Sequence, residues 1–175
     1  MPMKIGCRIP LEFFVTKGNG QSDISIHAGS YHIAMCNAGI AECNLMYYSS
    51  ILPAQSYKIK QPDKLHHGSV METIVSSHTS ECGTIATAGI SYGWLYEKNT
   101  GIRHGGIVCE QSGAYDTDKL ESLLKTGLLE IYESQFTNYD LNNIEVICES
   151  FVPTKKYGTA LVALCFTSYE YPIIE

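Results

Sequence analysis

A chain of 175 residues, with 45% hydrophobic and 17% charged side chains, is globular rather than disordered, and at that length one domain (1–175) is the default. The formal net charge of -6 argues against a nucleic-acid partner, which asks for a basic surface. No apolar run approaches the roughly 20 residues of a membrane span, and Met1-Pro2-Met3-Lys4-Ile5-Gly6-Cys7 lacks the apolar core of a signal peptide, so a cytoplasmic protein with no membrane partner is expected.

Leu11 to Thr16 reads as the first strand, ended by Lys17-Gly18-Asn19-Gly20, and a polar loop from Gln21 to Gly29 follows. Ser30 is placed to cap a short helix whose stripe is Tyr31, Ala34, Met35 and Ala38, at i, i+3, i+4 and i+7. Gly39 sits where a helix end favours a left-handed residue. Asn44 to Tyr48 is the second strand and runs into Ser49-Ser50-Ile51-Leu52-Pro53, where the proline fixes its own φ and keeps Leu52 extended. Ser69 to Ser77 and Thr84 to Tyr96 are rich in Ile, Val, Thr and Tyr and read as strands. Glu97-Lys98-Asn99-Thr100-Gly101 is a hairpin turn, and Gly105 to Glu110 is the returning strand. Asp116 can cap the long helix, with Leu120, Leu123, Leu124, Leu128 and Ile131 on one face. Ile144 to Phe151 and Thr159 to Thr167 complete an α+β pattern of sheets with one or two helices outside them.

Several signals carry little chemistry. The seven cysteines are odd in number and scattered, without a Cys-x-x-Cys pair, so neither a zinc site nor a disulfide framework is expected. His66 and His67 are adjacent and would point to opposite faces of a strand, while His78 with Glu81 and Cys82 is a weak cluster. Surface or core histidines are the plainer reading, with no metal. Gly18-Asn19-Gly20 is an incomplete dinucleotide fingerprint in the wrong connectivity.

The tandem Ser49-Ser50 is the feature with chemical consequences. On its own such a pair reads as a solvated turn. A serine hydroxyl is a poor nucleophile until it is positioned and activated. In a strained turn, Ser50 Oγ can attack the Ser49 carbonyl and turn the amide into an ester. Loss of the Ser50 α-proton then frees a fragment ending at Ser49. The dehydroalanine left behind hydrolyses, losing ammonia, to a pyruvoyl group. That ketone can condense with an amine and accept the electron pair released with carbon dioxide, the part pyridoxal phosphate plays elsewhere.

Three pieces of the chain bear on this. Phe13-Phe14-Val15-Thr16-Lys17-Gly18 followed by Gly20-Gln21-Ser22-Asp23 is the first. Ala34 to Pro53, with Asn37-Ala38-Gly39-Ile40, Asn44-Leu45 and Ser49-Ser50-Ile51-Leu52-Pro53, is the second and the only specific one. Gly106 to Glu110, with Tyr157 to Leu164, is the third. Together they resemble the pyruvoyl-dependent arginine decarboxylases.

The resemblance implies a β-sheet sandwich with flanking helices. It implies self-cleavage into a small N-terminal β chain (1–49) and a large C-terminal α chain (50–175), with a covalent pyruvoyl cofactor from Ser50 and neither pyridoxal phosphate nor metal. It makes Ser49 the new C-terminus and Glu110 the acid that protonates the α-carbon. The plain alternative for Glu110 is a solvated residue where its strand meets a turn. Asn44 matches an amide near the cleavage site and the substrate, though a strand-initiating turn residue is the commoner role. His32, Met35, Cys43, Asn44 and Ile51 would shape a pocket for an amino-acid substrate, L-arginine giving agmatine. Homotrimers of processed αβ units, or dimers of trimers, are the implied assembly.

One departure bears on the substrate. Where arginine-specific members carry an aspartate facing the guanidinium, this chain has His32, which cannot make the bidentate charge-assisted pair. Asp23, Glu42 or a different amino acid are the alternatives. An unprocessed binding or structural homologue is the rival from another class. A decarboxylase consumes a proton and releases an amine, so acid resistance and polyamine supply both stand as roles.

Overall fold

The computed structural model describes residues 4–174. Its main strands are β1 (Glu12–Ser22), β2 (Asn44–Tyr47), β3 (Ile51–Pro53), β4 (Tyr57–Lys58) and β5 (Val70–Glu81). These are followed by β6 (Ala86–Glu97), β7 (Arg103–Gly113), β8 (Tyr139–Phe151) and β9 (Tyr157–Phe166). The α-helices are α1 (His32–Asn37) and α2 (Thr117–Gln135). A five-stranded sheet runs in the order β2-β5-β9-β1-β4, and a four-stranded sheet in the order β8-β6-β7-β3.

Alternation of side chains along the strands builds the layers. On β9, Val162, Leu164 and Phe166 point inward to meet Phe13, Ile74, Tyr92 and Val108 between the two sheets. The intervening Leu161, Ala163 and Cys165 point outward and pack under Ala34, Ala38 and Ile40 of the α1 region. On β7, Val108 faces the inter-sheet core while Ile107 and Cys109 face the buried leucines of α2. The result is helix, sheet, sheet, helix: the expected sandwich with flanking helices. Leu120, Leu124 and Leu128 are fully buried, each contributing about 1.5–3 kcal/mol. The expected cap is present, with Asp116 Oδ1 accepting from the Lys119 N–H at 2.7 Å.

The glycine-rich stretch departs from expectation. β1 does not end at Thr16 but continues through Lys17-Gly18-Asn19-Gly20, paired residue for residue with β9 as far as Ser22. A Cβ on Gly18 would overlap the Ala34 carbonyl oxygen, and one on Gly20 the Ser30 carbonyl. These glycines let a helix lie directly on the strand; they do not turn the chain.

Ser30 is likewise not a cap. A π-helical turn, Ile26–Tyr31, precedes α1. Ser30 is wholly buried inside it, its hydroxyl 2.9 Å from the Thr159 hydroxyl on β9. The irregular loop therefore shrinks to residues 23–25.

Gly39 behaves as expected, at φ +71°. It closes α1 with two bonds, Gly39 N–H to Cys36 O at 3.0 Å and Ile40 N–H to Met35 O at 3.0 Å. The later strands extend beyond the read boundaries. β8 starts at Tyr139 and carries a bulge between Asn142 and Glu145, with Asn143 at φ +53°.

Candidate active site

The Ser-Ser pair is where the chain crosses from one sheet to the other. Upstream, β2 runs parallel to β5 with Tyr47 opposite Thr73, and the Tyr48 N–H donates to Thr73 O at 2.8 Å. Downstream, Ile51 lies opposite Ile107 on the four-stranded sheet, and the Val108 N–H donates to Ser50 O at 3.0 Å. Both flanks are therefore pinned within three residues of each other. Ser50 takes up the crossing with φ +32°, outside the usual range for a residue with a Cβ; such backbone costs of order 1–3 kcal/mol. Ser49 is exposed and Ser50 half-buried.

Ser50 Oγ donates to Glu110 Oε1 at 2.6 Å. Glu110 has the same parity on β7 as Val108, so its side chain belongs to the inter-sheet face. It is not in the turn after its strand, since β7 runs on to Gly113. Burial raises its carboxyl above the ordinary carboxylate range, and the Ser50 hydrogen bond partly opposes that shift. A cleft lined by Ser76, Ser77, Gln111 and Ser112 gives Glu110 access to solvent. A separate groove on the other flank is lined by Tyr47, Tyr48, Ser49, Ile51 and Arg8.

The remaining candidates divide. Ile51 is exposed beside Ser50. Asn44 opens β2, its Nδ2 donating to Gly68 O at 3.0 Å and its backbone N–H to Ser69 O at 2.8 Å. It clamps the start of the strand that delivers Ser49, and among the described residues it makes no hydrogen bond to Ser50. Met35 and Cys43 pack on the layer beneath α1, with Cys43 Sγ 3.2 Å from Ser69 Oγ. His32 lies on the exposed side of α1, its Nε2 3.6 Å from Cys36 Sγ. Among the described residues, neither His32 nor Cys43 is hydrogen-bonded to Ser50 or Glu110, and Met35 packs in the cluster under α1.

Of the alternative acids, Asp23 accepts from the Lys156 N–H at 3.0 Å, and Glu42 pairs with His67. Among the described residues no group of three His, Cys, Asp or Glu could hold a metal ion. No helix there is long and apolar enough to cross a membrane.

Arg8 was not read from the sequence. Its partner is Glu72, on a strand 64 residues away, and no local spacing announces such a pair.

The geometry thus offers a strained serine, a carboxyl of raised proton affinity on its hydroxyl, and an exposed Ser49 just upstream. Similarity to known proteins agrees with it. A model of the pyruvoyl-dependent arginine decarboxylase family matches residues 12–171. The chain is 29% identical to a probable pyruvoyl-dependent arginine decarboxylase of Chlorobaculum tepidum over 133 residues, covering 69% of this chain and 70% of that protein. It is 27% identical to a pyruvoyl-dependent arginine decarboxylase of Thermoplasma volcanium over 156 residues, covering 83% and 82%. A Methanopyrus kandleri protein of that name is 26% identical over 156 residues, covering 89% and 95%. The match spans the Ser49-Ser50 turn, Glu110 and nearly all of both sheets: the chain belongs to the pyruvoyl-dependent arginine decarboxylase family, a family of decarboxylases.

Proposed function

We propose that this protein cuts itself between Ser49 and Ser50, turns Ser50 into a pyruvoyl group, and decarboxylates an amino acid, L-arginine to agmatine being the leading reaction. The observation that carries this reading is the 2.6 Å hydrogen bond from Ser50 Oγ to Glu110, in a turn held at φ +32° between two sheets. Strain at the pinned crossing favours leaving the planar amide, and the Ser50 hydroxyl, oriented by Glu110, is the nucleophile that attacks the Ser49 carbonyl. Loss of the Ser50 α-proton frees a small chain ending at Ser49, and hydrolysis at position 50 releases ammonia. The pyruvoyl group, once formed, supplies a ketone that serves as the electron sink for decarboxylation, with no need of pyridoxal phosphate or metal. Glu110, kept protonated above the ordinary carboxylate range by burial, returns a proton to the substrate α-carbon.

His32, Cys43 and Asn44 make no hydrogen bond to Ser50 or Glu110 among the described residues, and the reading brings them, with Met35, to the site of a neighbouring copy in a homotrimer of processed units, alone or paired. Exposed apolar side chains on the same side of the fold support it: Ile24, Ile26 and Ile33 around α1, with Met46 and Tyr47 on β2. Cysteines that are all free support a reducing, cytoplasmic setting.

A second substrate is favoured by one observation. α1, His32 to Asn37, carries no carboxylate to face a guanidinium. The same chemistry on a different amino acid follows if Glu42 and Asp23 stay with their present partners.

Intact mass under denaturing conditions tests the reading. Two fragments are expected, one ending at Ser49 and one starting with a pyruvoyl group, with CO2 release then measured across amino acids, arginine first. A single chain of full mass after prolonged incubation would leave an unprocessed structural homologue in its place.

A further inference from the structure

The groove on the Ser49 side of the crossing has one cationic side chain in its lining, Arg8. It lies before the residues that the family model matches. Its Nη2 forms an ion pair with Oε1 of Glu72, which is only 2% exposed, and its guanidinium carbon sits 5.5 Å from the centre of the Tyr169 ring. Glu72 stands directly opposite Met46, three residues before Ser49. The anchor of Arg8 is thus in register with the strand that delivers the scissile bond. A guanidinium has five donors in a fixed fork; with Nη2 on Glu72 and the side chain of Tyr48, itself in the groove lining, as a second partner, the fork still has donors for the groove.

Self-cleavage places a negative charge in that groove. After the acyl shift, Ser49 is joined to Ser50 through an ester at Oγ. In the elimination the Ser50 Cα proton passes to water, its bonding pair becomes the Cα=Cβ bond, and the Cβ–Oγ bond breaks. The pair from that bond leaves on the Ser49 carboxylate, and no oxidant or reductant enters.

We propose that Arg8 receives this carboxylate: it stabilises the leaving group of the elimination and then holds the new C-terminus of the small chain. Because Glu72 and Tyr169 fix the guanidinium before the reaction, the developing charge meets an oriented donor without reorganisation. Glu72 sets the position of Arg8 and takes no part in the bond changes. The proposal rests on the self-cleavage reading.

Removing Arg8 alone would strand a buried carboxylate, so the informative variant is Arg8→Gln with Glu72→Gln, compared with Glu72→Gln alone. Freshly purified full-length chains are quenched at intervals with hydroxylamine in denaturant and weighed intact. Wild type is expected to pass to a free Ser49 carboxylate and a pyruvoyl chain, and so is E72Q, whose amide oxygen still accepts from Arg8 Nη2 and keeps the guanidinium in place. The double variant is expected to accumulate ester, eliminating at least tenfold more slowly. Hydroxylamine then releases residues 1–49 as the hydroxamate and leaves serine, not pyruvoyl, at position 50.

Elimination at the wild-type rate in the double variant overturns the role of Arg8 and leaves the self-cleavage reading intact. Slow cleavage without trapped ester overturns it too, since that reports a disturbed turn. A wild-type chain that never cuts overturns both. If the double variant does not melt cooperatively, Arg8→Lys decides: a point charge in place of the fork is expected to slow elimination with ester accumulation, and an unchanged rate overturns the proposal.

Discussion

In the proposed reaction Glu110 has two tasks, holding a hydroxyl before cleavage and giving a proton after it, and they need different properties of the side chain. The first needs only an acceptor 2.6 Å from Ser50 Oγ. The second needs an acidic proton. Glu110→Gln separates them: its amide oxygen still accepts, so cleavage is expected to proceed, while CO2 release falls by about 10²–10⁴, the usual worth of a general acid. Ser50→Ala removes the nucleophile, and the chain is expected to stay at full mass with no turnover.

The raised proton affinity of Glu110 sets the sign of its pH dependence. The protonated form survives to higher pH than for an ordinary carboxyl, so kcat is expected to hold on the acid side and fall as pH climbs through the raised value. Stability follows the same direction. The folded state binds this proton more tightly, so the contribution is fully present below the unfolded pKa and is lost as pH rises through the folded one. Urea midpoints of wild type and E110Q across that range are expected to converge at low pH and diverge as pH rises. At this scale Ser49 and Ser50 could be singled out because they sit in the one specific segment, and Glu110 only from a weaker one; the hydrogen bond that joins Ser50 to Glu110 is what the fold adds. Arg8 could not be singled out, because what gives it meaning is a carboxylate on β5.

Secondary structure was legible where period or composition is local. The leucines of α2 fix that helix by period, while β5 and β6 were read from their β-branched and aromatic content, β6 being buried on both faces over most of its length. The misreadings share a cause: the decisive neighbour is distant in sequence. Gly18 and Gly20 read as a turn because glycine suits a left-handed backbone and a close approach equally well. Only the carbonyls of Ala34 in α1 and of Ser30 in the turn before it, lying on top of them, decide which. Ser30 read as a cap because nothing local reveals Thr159 on β9. Gly18→Ala must push α1 off β1, at about 1–3 kcal/mol by the usual cost of overpacking. That loss is expected in urea unfolding of the uncut Ser50→Ala background. Asp116→Ala, which loses only the cap of α2, is expected to cost about 1 kcal/mol and leave cleavage unchanged.

For the molecule as a whole, the proposed cut would fall between layers rather than between domains. Residues 1–49 carry β1, which lies inside the five-stranded sheet between β9 and β4 and is paired with β9 from Phe13 to Ser22. They also include Phe13, in the core between the sheets, and Phe14, Ala34, Ala38 and Ile40, in the layer under α1. None of these contacts depends on the Ser49–Ser50 bond. The proposed cleavage would instead release the crossing, leaving Tyr48 bonded to one sheet and Ser50 to the other. The two resulting chains are therefore expected to co-elute under native conditions and to separate only in denaturant. Because such a processed unit would be bimolecular, its unfolding midpoint is expected to rise with protein concentration, whereas that of uncut Ser50→Ala should depend on concentration only through association between copies. Equal midpoints at high dilution would mean that the covalent link contributes nothing that the sheet pairing does not. A lower midpoint for the cut form measures the chain entropy that the bond at Ser49 had been suppressing.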